Sequence, residues 1–127
     1  GALTSNGDYG LGSEIIVGGS ALTITIGRHY RLDGTVWSQA LSNSTEASAS
    51  GLIAISTGTT STAGMLLRGI VYTNTAGTAG DKVYLSSNGI PTTTKPTASG
   101  DFVRIIGYVI SNNIIYFNPS NDYIELA

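Results

Sequence analysis

Short runs of β-branched and aromatic residues recur along the chain, and Gly, Asn, Asp, Ser and Pro separate them. Apolar residues do not recur for long at the three- and four-residue spacing that would place them on one side of an α-helix. Short apolar or alternating runs bounded by turn residues are typical of β-strands. The pattern therefore predicts an all-β chain, an antiparallel β-sandwich or flattened barrel of about ten short strands.

The predicted strands share this composition, and turn residues lie between them. They cover Glu14–Val17, Ala21–Ile26, His29–Leu32, Thr35–Ala40, Gly51–Ser56, Met65–Thr73, Lys82–Ser86, Phe102–Ile110, Ile114–Asn118 and Tyr123–Leu126. Asn and Gly accept the positive φ that a type I′ turn requires. We therefore predict hairpin tips at Asp33-Gly34 and Asn112-Asn113, with a further turn at Asn88-Gly89.

Three segments between the predicted strands are small and polar. They are Ser42–Ser50, Thr57–Ala63 and Pro91–Gly100, and the last carries two of the three prolines. None is long enough to be a linker between domains. We interpret them as loops of a single β domain that spans residues 1–127.

The predicted C-terminal hairpin is apolar on both faces. A two-residue turn at Asn112-Asn113 would pair Ile110 with Ile115, Val109 with Tyr116 and Tyr108 with Phe117. One face would then carry Phe102, Ile106, Tyr108, Ile110, Ile115 and Phe117, and the other Val103, Ile105, Val109, Ile114 and Tyr116. In a monomer one face of an antiparallel sheet normally meets water. We expect another layer of the fold or a symmetry-related copy to cover the second face, and the scarcity of charge favours the copy.

Composition and charge exclude several classes of partner. Of the 127 residues 41% are hydrophobic and 11% are charged, which predicts one folded domain rather than a disordered chain. Six basic residues against eight acidic ones give a net charge of −2, so a nucleic-acid partner is not expected. No apolar run approaches the ~18 residues of a membrane helix, and the N-terminus does not resemble a signal peptide, so we predict no membrane insertion.

Residues for catalysis or metal binding are scarce. The chain has no Cys and one His, which leaves too few ligands for a zinc site. Strand alternation places His29 beside Arg31 on a polar face, which predicts an exposed imidazole, and no GxSxG motif accompanies it. The eight carboxylates are scattered, several of them in predicted turns, and no DxDxDG loop or Walker motif is present. We predict no enzyme, no catalytic residue, no metal and no cofactor.

The aromatic residues are the remaining source of binding chemistry. The chain has one Trp, seven Tyr and two Phe, most of them in predicted strands. Core packing is the more common role for such residues, but an exposed ring on a β-sandwich can stack on a sugar. Trp37 and Tyr123 are the candidate glycan contacts.

The segment Gly64–Leu126 resembles the C-terminal domain of tailed-bacteriophage virion structural proteins of the tail-fibre, head-fibre or capsid-decoration type. The resemblance rests on four pieces in order. They are LLRG (66–69), GDKVYLS with its turn glycine and proline-containing loop (80–96), VRIIGYV (103–109) and IYFNPS…YIEL (115–126). The sequences GRHYRLDGTVWSQA and SGLIAIS are similar to what precedes this region in such proteins.

The resemblance implies a structural or receptor-contacting module of a virion. Such a module would form the C-terminal part of a longer protein, assemble as a homotrimer and have other virion proteins as partners. Host-surface glycans are then a candidate ligand. We place Val109, Ile114, Tyr116 and Tyr123 at the subunit interface, with the strand Tyr123–Leu126 covering a sheet edge. The alternatives are a stand-alone carbohydrate-binding β-sandwich module, which would be monomeric, and a small hydrolase, which would need paired carboxylates in a cleft.

Overall fold

A computed structural model describes residues 2–20 and 23–127, and in this part of the chain the fold is all-β, as predicted. The strands are β1 Glu14–Ile16, β2 His29–Asp33, β3 Val36–Gln39, β4 Ile53–Ser56, β5 Met65–Tyr72, β6 Lys82–Tyr84, β7 Phe102–Val103, β8 Ile105–Ser111, β9 Ile114–Phe117 and β10 Ile124–Glu125. All strand pairs are antiparallel. One long sheet curls into a half-barrel.

The long sheet has the strand order β3-β2-β4-β5-β9-β8-β6, and β1 also pairs with β5. The strands β10 and β7 form a separate two-stranded sheet. Strand β5 is the longest, and its first half contacts β4 and β1 while its second half contacts β9. The N-terminal segment covers part of β5, because Gly7 and Gly10 donate backbone hydrogen bonds to the carbonyls of Tyr72 and Ile70.

Both predicted hairpin tips are present. Asp33 pairs with Val36 across the first turn, where Gly34 adopts a φ of 63°. Asn113 adopts a φ of 69° in the turn between β8 and β9. Asn and Gly tolerate this left-handed conformation better than other residues, so local chemistry alone specifies these two turns.

The register of the C-terminal hairpin differs from the prediction. Tyr108 lies opposite Tyr116 and Val109 opposite Ile115, because a bulge between Val109 and Ser111 adds one residue to β8. A second irregularity, opposite Val83 and Tyr84, changes the alternation near the start of β8. A bulge moves the following side chains to the other face of the sheet. Tyr108 and Tyr116 therefore share one face, and Val109 and Ile115 share the opposite one.

Three further expectations are corrected locally. Residues 23–26 of the predicted strand Ala21–Ile26 do not form a strand, and Ala21 and Leu22 lie outside the described residues. The predicted loop Ser42–Ser50 contains a one-turn helix, α1 Glu46–Ala49, whose first turn is capped by Thr45. The predicted loop Thr57–Ala63 ends in a short 3-10 turn at Ser61–Ala63.

The core consists of two clusters, which lie on opposite faces of the sheet at β4, because Ile53 and Ile55 belong to one cluster and Ala54 to the other. The larger contains Ala40, Ile53, Ile55, Leu66, Val71, Val83, Leu85, Ile106, Val109, Ile115 and Phe117. The smaller contains Ile24, Tyr30, Trp37, Ala54 and Met65. The larger cluster takes side chains from β4, β5, β6, β8 and β9, so it holds the N- and C-terminal halves of the long sheet together.

Candidate functional site

Six large side chains form a continuous patch on one face of the strands β5, β9 and β8. We call this patch the outer face; its members are Ile70, Tyr72, Tyr108, Ile110, Ile114 and Tyr116. Residues directly opposite each other in antiparallel strands point to the same side of the sheet. Ile70 pairs with Tyr116, Tyr116 with Tyr108, and Tyr72 with Ile114, so the pairing itself places these side chains together.

The outer face is open to solvent although its side chains are large. Ile70, Tyr108 and Ile110 are 38%, 44% and 47% exposed, and Tyr116 and Ile114 are half-buried. Lys82 lies opposite Tyr108 on the edge strand β6 and puts one positive charge at the border of the patch. A contiguous exposed apolar patch of this kind makes the outer face a candidate contact surface.

The structure brings together two of the four predicted interface residues. Ile114 and Tyr116 both lie on the outer face. Val109 does not, because the bulge in β8 turns its side chain into the protein's own core, where it is buried. Sequence reasoning missed Ile70 and Tyr72, which join the patch only because β5 pairs with β9.

Tyr123 lies away from the outer face, beside the small β7–β10 sheet. Its ring packs edge-on against Phe102, with 6.2 Å between the ring centroids, and its hydroxyl donates a hydrogen bond to the carboxylate of Glu46. This bond, which stabilises the protonated phenol, is the main cause of a raised pKa at Tyr123. The following residues, Ile124 and Glu125, pair with β7, so the last strand covers an edge within its own chain.

The candidate glycan contact Trp37 belongs to the core instead. Its side chain is 3% exposed, and its indole N–H donates a 2.8 Å hydrogen bond to the carbonyl of Gly18. A ring enclosed in this way has no free surface on which a sugar could stack. This correction leaves Tyr123, which is half-buried, as the predicted glycan contact with accessible surface.

His29 is fully buried, which corrects the prediction of an exposed imidazole. It lies opposite Ile55, whose side chain is part of the larger core cluster. Burial lowers the pKa of His29 to about 4, so the imidazole is neutral at pH 7. Its Nε2 accepts a hydrogen bond from the backbone N–H of Ser86 at 3.1 Å, and its Nδ1 has no partner among the described residues.

The pair of His29 and Ser86 is not arranged for nucleophilic catalysis. The Ser86 hydroxyl lies 3.3 Å from His29 Nε2, but it donates its hydrogen bond to Asn88 Oδ1 at 2.9 Å. The Nε2 lone pair is already directed at the backbone N–H of Ser86. A general base needs that lone pair for the hydroxyl proton. The contact therefore anchors the 86–88 turn to the core.

A polar pocket of about 560 Å³ lies beside this turn. Side chains of Ser, Thr, Asn, Ala, Ile and Pro line it together with Lys95 and Asp101, mostly from the loop 86–98. One wall is held in place by Thr75, whose hydroxyl donates to the carbonyl of Pro91 at 2.8 Å. The pocket offers hydroxyl and amide hydrogen-bonding groups. Sequence reasoning identified this loop only by its polar composition.

The exposed carboxylates serve local turns. Asp8 accepts the backbone N–H groups of Thr4 and Ser5, which lowers its pKa. Asp81 and Asp101 accept the N–H groups of Thr78 and Ala98 in the same way. Within residues 2–20 and 23–127, no three His, Cys, Asp or Glu side chains come together as a metal site. In the same ranges no helix has the length and apolar character needed to cross a membrane.

Comparisons of the chain with protein-family models, with curated proteins and with solved structures find no match. Its function is therefore inferred from the surfaces described above.

Proposed function

We propose that this chain is a structural module of a bacteriophage virion, of the fibre or capsid-decoration type, and that it assembles as a homotrimer. The outer face is the observation that carries the proposal. It is a patch of six large side chains on neighbouring strands, and three of them are more than a third exposed. The resemblance of residues 64–126 to virion proteins supplies the kind of assembly.

Contact between the outer face and water has a cost in free energy. Burying one large apolar side chain contributes roughly 1.5–3 kcal/mol, and the outer face holds three that are more than a third exposed. Contacts through Ile70, Tyr108 and Ile110 would remove this surface from water. In an assembly with closed symmetry the patch of every copy is buried in an interface, and the assembly cannot grow without limit. A virion component also benefits from slow unfolding, which burial between subunits favours.

The assembly is tested by sedimentation velocity at micromolar concentration. The wild-type chain should sediment as a trimer. Tyr116→Asp places a charge in the middle of the outer face, between Ile70 and Tyr108, and should yield a monomer with a lower melting temperature. Leu11→Asp is the matched control, because Leu11 is a fully exposed apolar residue outside the sheet. A monomeric wild-type protein, or a Tyr116→Asp variant that remains trimeric, would contradict the proposal.

The virion assignment has its own test, which does not depend on the number of subunits. Antibodies raised against the chain should label purified phage particles in immunogold electron microscopy. Labelling on fibres or on the shell would also distinguish the two types of component. Particles without label, from a phage whose genome encodes the chain, would overturn the assignment.

We expect such a module to have no hydrolase or transferase activity. The carboxylates Asp81 and Asp101 hold turn N–H groups, and His29 is neutral and enclosed. A host-surface glycan is the candidate ligand, and a glycan array would detect it. Polysaccharide turnover that is abolished by replacing Asp81, Asp101 or Asp122 would refute the expectation.

A further inference from the structure

Arg104 is a buried cation between β7 and β8, and its side chain joins three parts of the fold. The residue is 3% exposed. Its Nε donates to the carbonyl of Ser120 at 2.7 Å, and its Nη1 donates to the carbonyls of Ala49 and Gly51, both at 3.0 Å. These contacts fasten the end of α1 and the segment after β9 to the start of β8.

The charge of Arg104 is not matched by an acid. Among the described residues, the ion pairs are Arg31 with Asp33 and Arg68 with Glu14, and neither involves Arg104. Carbonyl dipoles bind a guanidinium but do not cancel its charge, and an uncompensated buried charge is costly. Burial accordingly lowers the pKa of Arg104.

One nitrogen of Arg104 remains available. Nη2 makes no hydrogen bond to the described residues. Arg104 also lines a pocket of about 230 Å³.

The other polar side chains of this pocket suit an anion. Arg68, Asn118 and Asn121 line it together with Glu14. The contact between Arg68 and Glu14 is 3.9 Å long and both side chains are more than half exposed, so it holds neither group firmly. Two arginines against one carboxylate leave one net positive charge.

We propose that this pocket binds a single carboxylate group, which Arg104 and Arg68 hold from two sides with Asn118 and Asn121 as further donors. The volume is below the ~300–1,000 Å³ of sites for drug-sized ligands, so it fits one charged group with little attached to it. The single net charge matches a monoanion rather than a dianion. The carboxylate could belong to a free organic acid or to an acidic sugar, and the two sources share this chemistry.

Nuclear magnetic resonance on uniformly ¹⁵N-labelled protein tests the site. Sodium acetate, sodium glucuronate and inorganic phosphate are titrated at constant ionic strength, with sodium chloride as the reference. The Arg104 and Arg68 side-chain N–H signals and the Asn118 and Asn121 amides should shift saturably with acetate and glucuronate. Tighter binding of glucuronate than of acetate would identify an acidic sugar, and equal affinity would identify a free acid. Phosphate should bind no more tightly than acetate.

Substitutions at two exposed residues, Arg68 and Glu14, test the site without changing the core of the fold. Arg68→Gln should weaken binding about tenfold, the loss expected for one charge-assisted contact. Glu14→Gln should strengthen binding, because it removes the carboxylate that competes for Arg68. Lys82→Gln, which removes an exposed charge outside the pocket, should have no effect. Shifts that fail to saturate, shifts reproduced by chloride, or equal affinity in all three variants would overturn the proposal.

The outcome is separable from that of the trimer, because the site lies within one chain. A monomeric protein with saturable binding would contradict only the assembly. A trimer without these shifts would contradict only the carboxylate site.

Discussion

The two faces of the β5–β9–β8 sheet are built from similar residues but have opposite environments. The inner face carries Val71, Val109, Ile115 and Phe117, all of them buried in the core. The outer face carries Ile and Tyr side chains that remain partly or largely exposed. Apolar composition therefore does not decide burial. What decides it is whether another part of the chain lies across the face, and among the described residues the inner face is the one that is buried.

Neighbouring residues of β9 give the strongest test of this difference, because Phe117 points inward and Tyr116 outward. Phe117→Ala should lower the free energy of unfolding by about 3–5 kcal/mol, since it leaves a cavity in the larger core cluster. Tyr116→Ala should cost about 1 kcal/mol in dilute protein, and more as the concentration rises. Urea unfolding at several protein concentrations measures both. Equal losses of unfolding free energy in both variants at every protein concentration would show that the two faces do not differ in burial.

The one histidine is buried in β2 opposite Ile55 of the larger core cluster, which makes stability depend on pH. The native pKa of His29 is about 4 and the unfolded value is 6.5, so the unfolded chain binds the proton first as the pH falls. The stabilisation is complete above pH 6.5 and is lost between pH 6.5 and about 4, by about 3 kcal/mol. Denaturation at pH 7.5 and 4.5 measures this loss.

His29→Gln is the control for that measurement, because it should remove most of the change between these two pH values. The pKa of Asp8 is lowered from 3.8, so Asp8 changes the free energy of unfolding only below about pH 3.8. This range lies outside the interval between pH 7.5 and pH 4.5. An unchanged pH dependence in the Gln variant would show that another group is responsible.

The close approach of β8 and β9 is tested at Gly107. A Cβ on Gly107 would overlap the backbone carbonyl of Tyr116, so Gly107→Ala should separate the strands that carry both faces. We expect a loss of about 2–3 kcal/mol in thermal or urea unfolding. Gly18→Ala is the matched control, because a Cβ there meets no atom within 4 Å and should change stability by less than about 0.5 kcal/mol. Similar losses in both variants would rule out the steric explanation.

The smallest effect is expected at the margin of the outer face. Ile110→Thr should change the unfolding free energy of the dilute protein by less than about 0.5 kcal/mol, because Ile110 is largely exposed. In the trimer it should weaken association, which sedimentation equilibrium would detect. A large loss in the dilute protein would show that Ile110 packs within its own chain.

Local turn chemistry made part of this fold predictable. Asp33-Gly34 and Asn112-Asn113 form the expected tips because their residues tolerate a positive φ whatever surrounds them. The register between β8 and β9 was not predictable in the same way. A bulge adds one residue opposite a partner strand, and no residue type at positions 109–111 indicates that a bulge forms there. The correct turn therefore came with an incorrect assignment of Val109.

The candidate sites were predictable only in part. Ile114 and Tyr116 belong to the outer face, as the two-sided apolar pattern indicated. Ile70 and Tyr72 could not be assigned to it, because the pairing of β5 with β9 brings together residues more than forty positions apart in the chain. The pocket beside Arg104 depends in the same way on contacts with Ala49, Gly51 and Ser120.

The sequence by itself determined the all-β class, the two hairpin tips and the presence of more apolar strand surface than one small domain encloses. These properties follow from side-chain period and from the φ preferences of single residues, which are local. Only the tertiary structure decided which apolar face is covered, that Trp37 and His29 lie in the core, and that Arg104 is buried with no acid paired to it among residues 2–20 and 23–127. Burial and charge compensation depend on segments that are distant along the chain, and alternation within one strand contains no information about them.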